Sequence, residues 1–264
     1  MIGPRRAVPR WVVGIAAVVY GLLHAPLVAL VVFSFNKSKF SVSWTGFTLE
    51  WYRRLFERDD IIRGLGLSLV VGGISTVVSS VLGTLLALAL ARHRFRGRRA
   101  VESLLYLPLV TPEIIVGISL LILFVLVGVP LGLTTITIAH IAFNISFVTV
   151  VVRARLAGMG QHLEEAALIL GADELTAFWK VTVPLLWPGI LAGALLAFTM
   201  SFDDFVITSF VSGSGSSTLP IVVYGMVRRS IEPSINAIST IILVVTAALI
   251  YLADRLRRSE GVGT

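Results

Sequence analysis

The sequence contains no cysteine, and only 14% of its 264 residues are charged. The first absence excludes a disulfide-stapled secreted scaffold. The second falls well below the roughly 25% usual in soluble domains. With 56% hydrophobic residues, it excludes both a water-soluble exterior and a disordered tail protein. A phosphate cradle of the form Gly-x4-Gly-Lys-Ser/Thr is also missing, because Gly213-Ser214-Gly215 has neither the lysine nor a strand-to-helix setting. His24, His93, His140 and His162 show no metal-ligand spacing, so structural roles are expected of them. His140 and Asn144 share a helix face at i and i+4 and are expected to hydrogen-bond across helices.

What is present is long, uncharged and apolar. Residues 11–33, 64–91 and 234–253 carry no acidic or basic side chain apart from His24, and each can cross a hydrocarbon core of about 30 Å. Two further stretches are too long for one crossing. Residues 103–152 hold Glu113 as their only charge and are divided by Gly128-Val129-Pro130-Leu131-Gly132, a hairpin signal. Residues 181–227 hold only Asp203 and Asp204, and the polar run 212–218 ends their apolar part. Six spans are expected, at about residues 11–35, 64–91, 103–127, 133–152, 185–211 and 234–254, in a single transmembrane domain covering 1–264.

The basic balance, a pI near 10.4, is then a matter of topology rather than of nucleic-acid binding. An even number of spans puts both termini on one side. With the termini inside, fourteen of the 22 Lys and Arg residues fall on inner segments and eight on outer ones, so cytoplasmic termini are expected. The first apolar run exceeds the 7 to 15 residues usual in a signal peptide and no Ala-x-Ala-like site follows it. It is expected to stay as an uncleaved anchor. The basic turn 92–99 reads as a topology anchor against anionic lipid.

The polar segment 153–184 is patterned as helix. Leu163, Ala166, Ala167 and Leu170 recur at i, i+3, i+4 and i+7, Gly171 is placed to stop that helix, and Asp173 to cap a short second one carrying Leu175, Phe178 and Trp179, which Pro184 closes. The product is an elbow with an apolar face. Glu164, Glu165, Asp173 and Glu174 stand against Lys180 alone, which favours a protein groove over an anionic lipid surface as its receptor. Glu165-Ala166-Ala167, Gly171 and Val181-Thr182-Val183-Pro184 resemble the "EAA" signature of membrane subunits of ATP-binding-cassette importers. That resemblance implies an all-α membrane protein with the six-helix type I importer permease fold. It also implies a cytoplasmic coupling helix between helices 4 and 5, with Leu163, Glu165, Ala166, Ala167, Leu170 and Gly171 docking on an ATPase. The implied partners are two copies of that ATPase, a second homologous permease, an extracytoplasmic solute-binding protein and membrane lipid. ATP and Mg would be held by the partner, with no cofactor on this chain, no metal and no catalysis.

The three intramembrane carboxylates are costly, at about 2.5 to 3.5 kcal/mol for a centrally placed Asp. No Lys or Arg lies in any span to neutralise them, so the missing positive charge is most simply the cargo. Pro108 and Pro112 suggest a kinked or broken helix before Glu113. Neighbouring aromatic rings such as Phe202 and Phe205 suit an organic cation through cation–π attraction. Ser201-Phe202-Asp203-Asp204-Phe205, Thr218-Leu219-Pro220, Ser43-Trp44-Thr45-Gly46 and Arg94-Phe95-Arg96-Gly97 are similar to the spermidine and putrescine branch of these permeases, nearest its second permease type. The resemblance implies that Asp203, Asp204, Glu113, Trp44, Ser201 and Phe202 line the substrate path in a bacterial inner-membrane permease. Where that branch often has Asp, this chain has Glu113. Related importers of opines, iron or thiamine share the elbow, and a proton-coupled carrier or channel would use Asp203 and Asp204 as a relay. These alternatives stay open on the sequence. An intramembrane aspartyl protease does not fit, since the two acids are adjacent and no Gly-x-Gly-Asp occurs.

Overall fold

The computed structural model describes residues 9–38, 43–160, 162–229 and 233–260, with side chains described as far as residue 247. Helices account for nearly all of it. In chain order they are α1 (Arg10–Phe33), α2 (Glu50–Phe56), α3 (Asp59–Arg92), α4 (Arg98–Val110), α5 (Glu113–Val127), α6 (Leu133–Ala157), α7 (His162–Ile169), α8 (Glu174–Ala177), α9 (Val183–Asp203), α10 (Val206–Val211), α11 (Leu219–Arg229) and α12 (Pro233–Glu260). A wide π-type turn, Phe178–Thr182, joins α8 to α9.

Four helical runs are long and apolar enough to cross a membrane: α1, α3, α6 and the continuous run Glu174–Asp203. The pair α4 and α5 is long and apolar enough only when the two are taken together, and is bent by 116° at its break. The crossing expected at 103–127 is therefore not one straight helix. Pro112 has no N–H to continue the ladder and pushes Thr111 into an extended conformation, with ψ 133°. Pro108 lies inside α4 and leaves it unbroken. The sixth expected crossing falls in α12, whose apolar part among the described residues is Pro233–Ala247. The hairpin expected at 128–132 is present, with Gly128 at φ 73° capping α5 and Gly132 preceding α6.

The crossing expected at 185–211 is also interrupted. α9 stops at Asp203, Asp204 is extended with ψ 120°, and α10 restarts at Val206. At its other end, Pro184 does not close the elbow. It lies just after the π-type turn, which carries the helix through from α8 to α9.

Two compact units emerge: residues 62–222, and residues 1–61 with 223–264. In the larger, α6 is the central post. Val71, Phe124, Ile136, Ala139, Phe143, Ile207 and Val211 join α3, α5, α6 and α10 in one buried cluster. Ala87, Leu88, Val148, Val152, Leu186 and Ala197 join α3, α6 and α9 in another. Glycine permits the second. A Cβ on Gly83 would lie 2.8 Å from the Val148 side chain and one on Gly193 3.3 Å from it, so α3 and α9 both close on α6 at a single valine. The Gly-x3-Gly of residues 189–193 thus packs within this chain.

In the smaller unit no α1 side chain is buried, and α12 packs against α1 and α2. Asn36 organises the segment after α1. It is fully buried, its Nδ2 donates to the Ser43 carbonyl at 2.6 Å, its Oδ1 accepts the Thr45 N–H at 2.9 Å, and its own carbonyl accepts the Trp51 indole at 2.8 Å.

Candidate functional site

The break between α9 and α10 is where the chemistry gathers. Glu113 at the start of α5, His140 and Asn144 on α6, and Ser201, Asp203 and Asp204 at the end of α9 line one cavity of about 330 Å³, with Phe143, Met200, Phe205 and Ile207 among its apolar walls. Glu113, far from the Asp203–Asp204 pair in sequence, shares one space with it, and no Lys or Arg is in its lining. Glu113, as the first residue of α5, also sits at the positive end of a helix dipole.

The two adjacent aspartates have different environments. Asp204 is enclosed by donors: the backbone N–H groups of Ile207 at 3.2 Å and Thr208 at 2.7 Å, the Thr208 hydroxyl at 2.6 Å, and His140 Nε2 at 3.1 Å. It caps the first turn of α10 while tying it to α6. The same ring nitrogen lies 2.9 Å from the Thr208 oxygen, and Nδ1 lies 2.6 Å from the Ser201 oxygen, which in turn accepts the Ser75 hydroxyl at 2.9 Å. Ser75 donates to Ser201, and His140 Nε2–H, which faces a carboxylate oxygen, donates to Asp204. Ser75, His140, Ser201 and Thr208 are all buried, so α3, α6, α9 and α10 are joined by a satisfied polar chain ending on one carboxylate.

Asp203 is the opposite case. It is exposed, and neither it nor Glu113 makes an ion pair or accepts a side-chain donor among the described residues. Ser201 proves to be a network member as well as a wall residue. Phe202, expected on the path, stacks on Phe198 with ring centroids 5.8 Å apart and is not part of the cavity lining. Trp44 belongs to the smaller unit and is 51% exposed. Sequence reasoning missed Ser75 and Thr208, although Thr208 stands one turn after Asp204, where a side chain can share a cap.

The elbow forms as two short helices. α7 ends at Ile169, and Gly171, at φ 92°, closes it: the Ala172 N–H returns to the Ala167 carbonyl at 3.0 Å and the Gly171 N–H to Leu168 at 3.0 Å. Leu163, Glu165 and Ala166 are exposed, Ala167 is half-buried, and Leu170 sits in the turn past the helix at 87% exposure. Leu163, Leu168, Ile169, Leu170, Leu175 and Trp179 form the elbow's large exposed apolar side chains. The basic turn does more than anchor. Arg92, at the end of α3, forms a two-pronged ion pair with Glu164 of α7, and Glu164 also accepts the Thr182 hydroxyl at 2.8 Å. The elbow is thereby tied to the ends of two crossings.

The fold is shared with a chain of the solved bacterial ABC transporter involved in the import of the acidic polysaccharide alginate, which superposes with a TM-score of 0.74 at 17% identity, covering 94% of both chains. Residues 79–259 match the family of binding-protein-dependent transport system inner membrane components, and the chain belongs to that family. It is 39% identical to the spermidine/putrescine transport system permease protein PotC of Haemophilus influenzae over 92% of this chain and 95% of the relative. To the putrescine transport system permease protein PotI of Escherichia coli strain K12 it is 40% identical over 92% and 89%. The chain is therefore a multi-pass inner-membrane transport component and not an enzyme.

Proposed function

We propose that this chain is the membrane-spanning permease subunit of an ATP-driven importer and forms half of the translocation path for a polyamine such as spermidine or putrescine. One observation carries the cargo assignment: Asp203 and Glu113 stand unpaired in the same cavity, which offers no cation of the protein to neutralise them. A primary ammonium group supplies that charge together with N–H donors for both carboxylates. Asp204 holds the α9–α10 break in shape, and Asp203 meets the cargo. The polyamine relatives support this reading.

The elbow, with its exposed Ile169, Leu170, Leu175 and Trp179, docks in a groove of a separate ATPase, of which two copies serve a pair of permeases. ATP and Mg stay on that partner. An extracytoplasmic solute-binding protein delivers the cargo, and both termini lie in the cytoplasm. Because Arg92 and Thr182 grip Glu164, movement of the elbow pulls on α3 and α9 together. Closure of the ATPases then rocks the crossings and switches access to the cavity from one face to the other.

The test is uptake of labelled putrescine by the complete transporter in proteoliposomes. Asp203→Asn and Glu113→Gln are each expected to raise KM for putrescine about tenfold, the loss of one charge-assisted contact, with assembly and basal ATPase activity retained. Unchanged KM in both variants refutes the cargo assignment.

A further inference from the structure

Along most of its length α9 exposes apolar side chains: Trp187, Leu191, Leu195 and Leu196 are the large ones. That pattern changes in its last turns. Thr199 and Asp203 are both exposed, and both line the carboxylate cavity. They stand at i and i+4, which makes them neighbours on one helix face with about 5–6 Å between their Cβ atoms. Leucine at position 199 would continue the apolar pattern and is the better helix former.

The bonding of its hydroxyl decides what Thr199 offers. The hydrogen is committed to the Leu195 carbonyl one turn back, at 2.8 Å. A hydroxyl has one O–H and two lone pairs, so towards the cavity this oxygen acts as an acceptor. Such back-bonding is open to any helical threonine. What distinguishes this one is its place, one turn from a carboxylate that makes no ion pair and accepts no side-chain donor among the described residues. A hydroxyl oxygen and a carboxylate side by side, both accepting, suit one cationic group with several N–H bonds. A primary ammonium group has three, and a quaternary one has none.

We propose that Thr199 is a specificity-determining cargo ligand: its Oγ1 accepts an N–H of the same ammonium group that Asp203 neutralises. The assignment rests on the polyamine function proposed above. It gives the end group of the cargo two fixed points on one helix, a charge at Asp203 and an N–H acceptor one turn away.

Uptake of labelled putrescine by the complete transporter in proteoliposomes tests it. Thr199→Val keeps the shape and removes the oxygen, and is expected to raise KM about fivefold, the loss of one hydrogen bond. Thr199→Ser keeps the oxygen and is expected to hold KM within about twofold of wild type. Added to Asp203→Asn, Thr199→Val is expected to raise KM by less than a further factor of about two, because two contacts to one ammonium group are coupled. A wild-type KM in Thr199→Val, equal losses in the valine and serine variants, or the full fivefold loss on top of Asp203→Asn overturns the role of Thr199. In each of those cases the polyamine function stands as long as Asp203→Asn itself raises KM. If Asp203→Asn, Glu113→Gln and Thr199→Val all leave KM unchanged, both fall. Should Thr199→Val not assemble, Thr199→Ala takes the same measurement, and failure of both to assemble assigns Thr199 to packing and overturns the proposal.

Discussion

Replacing Asp204 by asparagine separates the structural acid from the cargo-facing one. The carboxylate accepts four hydrogen bonds, one at Oδ1 from the Ile207 N–H and three at Oδ2 from the Thr208 N–H, the Thr208 hydroxyl and His140 Nε2–H. A carboxamide in the same place keeps one oxygen. In its best orientation the oxygen stays with the three donors and the new NH2 faces the Ile207 N–H, so one donor is orphaned in a site whose carboxylate is 10% exposed. An unmade buried hydrogen bond costs about 1–3 kcal/mol, and three charge-assisted bonds become neutral ones of about half the strength. Removing a buried charge recovers part of this, leaving a net loss of about 2–4 kcal/mol. For a chain of this size the loss lowers the unfolding midpoint by on the order of 5–10 °C, readable by tryptophan fluorescence of the purified transporter in detergent. Asp203→Asn orphans no donor and is expected to leave the midpoint within about 1 °C of wild type, where surface changes fall. An unchanged midpoint for Asp204→Asn, or equal losses for the two, would refute the division of roles.

Three further outcomes follow from the geometry. Gly171→Leu forces a side chain into a backbone at φ 92°, a cost of about 1–2 kcal/mol, and is expected to keep the transporter in the membrane with ATPase activity no longer coupled to uptake; coupled uptake at the wild-type rate would remove the elbow from the mechanism. Gly83→Leu places a Cβ 2.8 Å from Val148 and 3.1 Å from the Ile145 carbonyl, so overpacking of about 3 kcal/mol or more should prevent accumulation of the protein, and wild-type abundance on a membrane blot would count against the close contact of α3 with α6. Because the chain has no cysteine, Ala166→Cys gives a single thiol on the elbow: a membrane-impermeant maleimide should leave it unlabelled in intact cells and label it after permeabilisation, and labelling of intact cells would reverse the topology.

The apolar runs and their punctuation were legible because both act locally. Twenty uncharged residues specify a crossing wherever they occur, Gly128 and Gly171 adopt the left-handed conformations their positions demanded, and Pro112 before α5 broke the helix as its missing N–H requires. The elbow was readable for the same reason. The breaks inside expected crossings were half visible. Pro112 announced one, but nothing local marks Asp204 as the residue that ends α9, since its cap is completed by His140 from another helix. Pro184 misled because its effect depends on the π-type turn that precedes it.

By itself, then, the sequence determined a polytopic helical protein, the acids that a membrane would not tolerate without a purpose, and the elbow between α6 and α9, all through patterns that operate over a turn or two of chain. Only the tertiary structure decided how those acids are used. It gave Asp204 four donors and left Asp203 and Glu113 without a side-chain donor among the described residues, because the hydrogen-bond state of a group is set by whichever side chains other helices bring within about 3 Å, and sequence spacing holds no record of that.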